Sequence, residues 1–315
     1  MKFDIKVYSM HELGARSNQE DSLYPLGDDL TDKSHNFVLC DGMGGHDSGE
    51  VASAAVCRAM GQCADMHNDG TSVFTPDDMA DVLGKAYDAL DKCDTHAVRK
   101  MGTTMTFLAF HAGGCMVAHI GDSRVYHLRP GCGILFKTRD HSLVNDLIRI
   151  GELTEESAKD FDQKNVITRV MQPNMERRSK ADMKEIADVR SGDYFFMCSD
   201  GINETMDDRN IVNVLLDEKL DDADKMNIIK EATKESRDNH TAFLIRVVSA
   251  DNELVSSVEL PGCNNIKENT TGGDGSSHNQ EKHGLQANDR TRLNKLLLLL
   301  LALLLLSAII AVVIN

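Results

Sequence analysis

Five acidic positions in this chain are placed to do chemistry together. Asp41 closes an apolar run at 37–40 and is followed by Gly42, Gly44 and Gly45. Asp200 follows a second apolar run at 194–198 through Ser199 and precedes Gly201, and Asp122 follows Ile120 and Gly121 at the end of a third. Asp238, with Asn239, stands just before the apolar stretch 241–248, and Glu20, with Asp21, just before 22–26. Glycine lets the backbone approach a ligand closely, so a strand ending in a carboxylate and glycine can present that carboxylate to an ion. Hard divalent cations such as Mg2+ and Mn2+ take oxygen ligands, usually a few carboxylates plus waters. Two such ions about 4 Å apart can share a water, lower its pKa and clamp a phosphoryl group for in-line attack. A single Asp-Gly is common in turns, so each position alone also reads as a turn residue. Their repetition at the ends of apolar runs favours a shared metal or phosphate site.

The elements that must position these acids are mostly short strands. The stretch 36–53 reads as a buried strand, a glycine loop and the start of a helix running to about Met66. Further strands are expected at 2–10, 22–26, 102–111, 115–128 (broken at Gly121), 134–137, 194–198 and 241–248. A second helix should start at Thr75, with Pro76 at its first position, and run to about Val98. Two short helices are expected between His141 and Phe161, and two more at 208–216 and 222–236. Short hairpin-linked strands with interspersed helices predict an α+β class, antiparallel sheets packed with helices. Cys40 and Cys198 sit inside apolar runs, where cysteine behaves as a small core residue rather than a nucleophile.

Composition narrows the function. The formal net charge is −16, from 50 acids against 34 bases, and there is no Trp. A basic face for nucleic acid is therefore not expected. The eight cysteines are scattered with no Cys-x-x-Cys, which predicts no disulfide framework and a reducing compartment. The first residues lack the apolar core of a secretory signal. Residues 296–314 are apolar except for Ser307, follow Arg290, Arg292 and Lys295, and are long enough to span a bilayer. With the positive residues staying on the cytoplasmic side, they predict a single-pass tail anchor in the plasma membrane with the preceding domain cytoplasmic. The polar, Gly- and Ser-containing stretch 250–295 reads as a flexible linker, which leaves 1–249 as the folded domain.

Taken in order, the blocks RSNQED (16–21), VLCDGMGGHDSGEVAS (38–53), GTTM (102–105), HIGDSRVYHLRPG (119–131), TRDHSLVNDLIRIGELTEESA (138–158), NVITRV (165–170), GDYFFMCSDGI (192–202) and DNHTAFLI (238–245) resemble the metal-dependent protein phosphatase (PPM) family in its bacterial form, over about residues 10–248. The resemblance implies a central β-sandwich of two antiparallel sheets flanked by helix pairs. It implies a binuclear Mn2+ or Mg2+ centre in which Asp41 bridges the ions, Gly42 offers its carbonyl, Asp200 and Asp238 supply further carboxylates, and Glu20 acts through water. Asp122 would share a third, weaker ion with Asp200, and Asp21 would support the ligands without being one. Arg16 would grip the substrate phosphate, as suits its planar fork; otherwise it is a surface ion pair with Glu20 or Asp21.

The activity so implied is hydrolysis of phosphoserine and phosphothreonine by a metal-bridging hydroxide, without a phosphoenzyme. Met43 stands where animal members place a histidine. His46 titrates in a useful range and is either the proton donor to the leaving group or a residue that shapes the loop. Residues 138–170 correspond to a mobile flap, although 161–165 and Met171-Gln172 depart from the usual pattern. The implied partners are phosphorylated proteins, a cognate Ser/Thr kinase and its substrates, with the domain monomeric. A catalytically weak phosphoprotein-binding scaffold, or a phosphatase for a regulator in a partner switch, are the competing readings.

Overall fold

A computed structural model describes residues 2–44, 48–94, 100–161, 163 and 166–251. By its contacts the chain divides into a unit Met1–Asn264 and a unit Asn265–Asn315. The expected spanning segment 296–314 and nearly all of the expected linker lie outside the described residues. Among the described residues no helix is long and apolar enough to cross a membrane.

In chain order the first unit runs β1 (Phe3–Glu12), β2 (Asp21–Tyr24), β3 (Asn36–Met43), α1 (Ser48–His67), α2 (Pro76–Lys92), β4 (Gly102–Thr103), β5 (Met105–His111), β6 (Gly114–Ile120), β7 (Arg124–Arg129), β8 (Gly133–Lys137), α3 (Leu143–Arg149), β9 (Asp182–Ile186), β10 (Tyr194–Cys198), α4 (Asp200–Asn203), α5 (Asp208–Leu215), α6 (Asp222–Thr233) and β11 (His240–Ala250). One sheet has the order β1-β11-β10-β7-β8. The other has the order β2-β3-β5-β6-β9, with β4 also paired to β3. The pairings are antiparallel.

The period-2 alternation of strands explains why the central runs are apolar throughout. Phe37 and Leu39 of β3 face the β1-β11-β10-β7-β8 sheet and pack with Leu108, Phe110, Phe195 and Phe243. Val38 and Cys40, one residue out of phase, face α1 and α2 and pack with Val56, Met60, Met79 and Val82. On the other side Tyr126, Phe196 and Leu244 carry α5 and α6 through Ile211, Leu215 and Ile229. The result is four layers, helix–sheet–sheet–helix, with three cores. Each fully buried Phe or Leu contributes about 1.5–3 kcal/mol over its exposed state, so the two central sheets are the rigid part on which loops are hung.

Local signals account for most element ends. Thr75 caps α2 with Pro76 next, as expected, and a reciprocal capping box with Asp78 completes the cap. The helix stops at Lys92, short of the expected Val98. Of the two helices expected between 141 and 161, one forms as α3, and a short 3-10 turn at Ser157–Asp160 stands in place of the other. β9 was not expected: its sequence, DMKEI, is exposed at four of five positions and has no apolar alternation to reveal it. Among the described residues Cys40, Cys57, Cys63, Cys93, Cys115 and Cys198 are free thiols.

Candidate metal centre

Asp41 stands near the end of β3, where the ladder to β2 puts it opposite Asp21. Two threonines hold its backbone. Its N–H donates to Thr104 Oγ1 at 2.9 Å, and its carbonyl accepts from Thr104 N–H at 2.8 Å and from Thr103 Oγ1 at 2.9 Å. Thr104 Oγ1 in turn meets Ser123 Oγ at 2.8 Å, tying the turn that carries Asp122 to the strand that carries Asp41. Gly121 makes this approach possible: its φ is +107° and a Cβ there would lie 2.6 Å from Thr104 Cγ2.

Asp200 and Asp238 come from neighbouring strand ends, since Cys198 of β10 pairs with Ala242 of β11. Ser199 locks the crossing. Its N–H donates to the Thr241 carbonyl at 3.0 Å, its Oγ accepts from Thr241 N–H at 3.1 Å, and the same hydroxyl donates to Asp21 Oδ2 at 2.8 Å. Gly201 is wedged so tightly that a Cβ would fall 2.1 Å from the Asn239 carbonyl oxygen.

These carboxylates share one electrostatic environment. Loss of solvation pushes the Asp41 carboxyl well up, reinforced by Asp21, Asp200, Asp122 and Asp238. Asp200 is pushed up by burial and then by Asp238, while Asp41 acts in the lowering direction. Burial, then Asp200 and Asp140, raises Asp122 to about 7. Burial also raises Asp21 to about 7, against the hydrogen bonds it accepts. Oδ1 of Asp122 and Oδ1 of Asp200 are buried without any hydrogen-bond partner. Buried, orphaned carboxylate oxygens among like charges are costly unless a cation compensates them, and an all-oxygen donor set suits Mg2+ or Mn2+. The residues therefore fit the expected ions. Among the described residues, no three of these carboxylates place their ligand atoms within 4.8 Å of one another, so the donors stand wider apart than three oxygens bound to one ion.

Glu20 and Gly42 are adjacent to this set: Gly42 N–H donates to the Glu20 carbonyl at 3.0 Å. A Cβ on Gly42 would sit 2.2 Å from the Gly49 carbonyl oxygen, so the strand end and the start of α1 close on each other. Arg16 pairs with neither Glu20 nor Asp21 in a salt bridge. Its Nη2 lies 2.6 Å from Asp238 Oδ2, and the half-exposed guanidinium is held fully protonated chiefly by that bond. His46 lies outside the described residues.

A cleft of about 1020 Å3 is lined by Asp122, Asp200 and Asp238 together with Ser142, Val144 and Asn145, so the start of the expected flap borders the same space as the carboxylates. Three positioning residues receive no role from sequence reasoning. Asn239 accepts from Glu20 N–H at 2.8 Å and donates to the carbonyls of Leu13 and Asn18 at 2.9 and 3.1 Å, pinning the loop that carries Arg16 and Glu20. Arg124 grips Asp140 with two bonds of 2.8 and 2.6 Å. His141, held neutral by burial, accepts from Gly121 N–H at Nδ1 (3.0 Å) and stacks on His119 at 4.5 Å. Asparagine beside Asp238 was the visible clue to the first; the other two depend on contacts across the fold.

A profile of the protein phosphatase 2C family matches residues 15–244. The serine/threonine protein phosphatase PstP of Mycobacterium tuberculosis is 33% identical over 200 residues, which cover 64% of this chain and 36% of that protein; the chain thus spans about a third of that relative's length. Protein phosphatase PhpP of Streptococcus pneumoniae is 31% identical over 226 residues, 69% of this chain and 87% of that one. A crystal structure of the catalytic domain of PstP in complex with two manganese ions is similar in fold, with a TM-score of 0.63 at 27% identity over 78% of this chain and 99% of that chain.

Proposed function

This chain belongs to the protein phosphatase 2C family, and on that premise we propose that it is a metal-dependent protein phosphatase acting on phosphoserine and phosphothreonine. The observation that carries this reading is the convergence of Asp41, Asp122, Asp200 and Asp238 with buried, unpartnered oxygens on Asp122 and Asp200. Asp41, Asp200, Asp238, the Gly42 carbonyl and Glu20 would hold a pair of Mn2+ or Mg2+ ions, and Asp122 with Asp200 a third. When bound, such ions supply a water of lowered pKa and offset charge on the phosphoryl group. The chain's own residues do the rest. Thr103, Thr104 and Ser199 fix the backbone of the carboxylates, the cleft beneath the flap admits an extended phosphopeptide, and Arg16 swings from Asp238 to the phosphate oxygens.

His46 is the proposed donor to the departing serine alkoxide. Its replacement by Ala should slow phosphoserine hydrolysis far more than p-nitrophenyl phosphate hydrolysis, because the nitrophenolate leaves without a proton. The test of the main reading is turnover of phosphopeptides with and without Mn2+, in the wild type and in Asp41→Asn. The variant should lose at least about a hundredfold in rate, the share of several kcal/mol expected of a metal pair, with unchanged circular dichroism. Near-normal turnover would overturn the reading, and tight phosphopeptide binding without turnover by the wild type would favour a scaffold instead.

The same reading extends to location and partners. Residues 296–314, preceded by Arg290, Arg292 and Lys295, are proposed to anchor the chain in the plasma membrane with its phosphatase domain in the cytoplasm. Residues 250–295 would be a tether with a reach of roughly 35–40 Å, from which a monomeric domain reverses a Ser/Thr kinase and its substrates. Truncation after Ala250 should release an enzyme that keeps its activity on peptides and loses it selectively on membrane-bound substrates. Removal of the domain by protease added outside intact spheroplasts would show the opposite orientation.

A further inference from the structure

Away from the carboxylate centre, the far end of the α1–α2 hairpin carries a second set of ligating groups of different chemistry. Cys63 and His67, one turn apart on α1, and Asp81 on α2 each place one ligand atom within 4.8 Å of the other two. Cys63 Sγ lies 3.7 Å and His67 Nε2 3.0 Å from Asp81 Oδ2. The other ring nitrogen, His67 Nδ1, faces Asp78 Oδ1 at 3.3 Å. Asp78 is itself immobilised, because its Oδ2 accepts from Thr75 N–H at 2.8 Å and from the Thr75 hydroxyl at 2.7 Å.

We propose that Cys63, His67 and Asp81 form a binding site for a zinc-class divalent ion that clamps the end of the α1–α2 hairpin. Thiolate, imidazole and carboxylate together are a zinc donor set, and tetrahedral bonds of about 2.0–2.3 Å separate ligand atoms by roughly 3.3–3.5 Å, close to the spacings observed. A metal-bound histidine ordinarily gives its second N–H to a carboxylate that fixes the ring, and Asp78 stands in that place. One thiolate and one carboxylate balance a divalent charge. The fourth position opens to solvent, since the side chains of His67 and Asp81 are 32% and 51% exposed. On binding, the Cys63 S–H bond breaks, sulfur keeps the electron pair for the ion, and the proton leaves to water.

The described residues contain one other triad of this kind, His119, His141 and Asp182. There the Arg169 guanidinium already holds Asp182 Oδ1 at 2.8 Å, and a fixed cation at the site opposes a second. Among the described residues the cation that acts on the Cys63 thiol is the side chain of Lys85, and no arginine holds a ligand atom of the hairpin site. Its donors also differ from the all-oxygen centre, so the two sites separate by metal preference: excess Mg2+ occupies oxygen ligands and competes poorly for sulfur and nitrogen. At its other end α1 begins against that centre, where a Cβ on Gly49 would lie 2.7 Å from Glu20 Oε1. An ion at the hairpin end therefore secures the helix that backs Glu20.

The experiment uses the full-length chain, cleared of metal and then held in excess Mg2+. Isothermal titration with Zn2+ should give one tight equivalent. Replacement by Co2+ should give a thiolate-to-cobalt charge-transfer band in the near ultraviolet, and Zn2+ should raise the melting temperature. Cys63→Ser and His67→Ala, with wild-type circular dichroism, should lose the tight equivalent, the band and the thermal shift, whereas Asp41→Asn should keep all three. Absence of a tight Zn2+ equivalent in the wild type, or a cobalt band unchanged in Cys63→Ser, would overturn the proposal.

Discussion

Arg16 and Asp238, separated by 222 residues of sequence, meet through Nη2 and Oδ2 at 2.6 Å. The contact joins the residue expected to grip phosphate to a carboxylate expected to hold metal. Two roles follow, and they differ in what they do to the ions. If Arg16 leaves Asp238 for the phosphate, Arg16→Ala should lower phosphopeptide hydrolysis about tenfold to a hundredfold, the effect of one charge-assisted bond of roughly 1.5–3 kcal/mol, with Mn2+ affinity nearly unchanged. If it instead fixes Asp238, Mn2+ affinity should fall in step with the rate. Calorimetric titration beside steady-state kinetics distinguishes the two.

The carboxyls of Asp21 and Asp122, each raised to about 7 from an ordinary value of 3.8, set a pH dependence for the metal-free protein. A raised folded-state pKa stabilises the fold through the protonated form. That contribution is complete below the unfolded value and is lost as pH rises through the folded one. The chelator-treated protein should therefore lose melting temperature between about pH 4 and pH 7, the interval between the unfolded and folded values, and Asp122→Asn should flatten that decline. Saturating Mn2+ should reverse the trend, because the ion binds the ionised form. Thermal melts at several pH values, with and without Mn2+, check all three.

Asn239 makes three hydrogen bonds to the loop that carries Arg16 and Glu20. Asn239→Ala should cost about 1–3 kcal/mol of stability by leaving those backbone groups unsatisfied. It should also reduce turnover more than tenfold by loosening the loop. Urea unfolding and kinetics on the same preparation provide the comparison.

Two glycines should respond oppositely to alanine. Gly201→Ala puts a methyl 2.1 Å from the Asn239 carbonyl oxygen and should destabilise by about 1–3 kcal/mol or more, as overpacking does, while displacing Asp200. Gly84→Ala, on α2 with nothing within 4 Å of the new methyl, should stabilise by about 0.5–1 kcal/mol. Melting temperatures of the pair test whether the close approach at Gly201 is a real constraint.

Much of this was legible in the sequence because it is local. The apolar runs 37–40 and 194–198 announced central strands, since a strand buried on both faces needs no polar alternation. Thr75 and Pro76 announced the start of α2, because a capping hydroxyl and a proline at the first helical position are local signals. Asp41, Asp122 and Asp200 stood out because each follows an apolar run beside a glycine, and Asp238 and Glu20 because each stands just before one.

What the tertiary structure decided is which of these groups meet. The pairing of Arg16 with Asp238, the three bonds of Asn239, the grip of Arg124 on Asp140 and the neutral His141 behind Gly121 all join residues distant in sequence or set by the turn between them, and no composition or spacing encodes them. β9 is the same case in backbone form: an exposed, charged segment becomes a strand only because the edge of β6 offers it hydrogen bonds, with His119 opposite Asp182. The raised carboxyls have that origin too. An aspartate's ordinary acidity belongs to its side chain, but the loss of water and the crowding of like charges at Asp41 and Asp122 exist only once two sheets have brought four strand ends together.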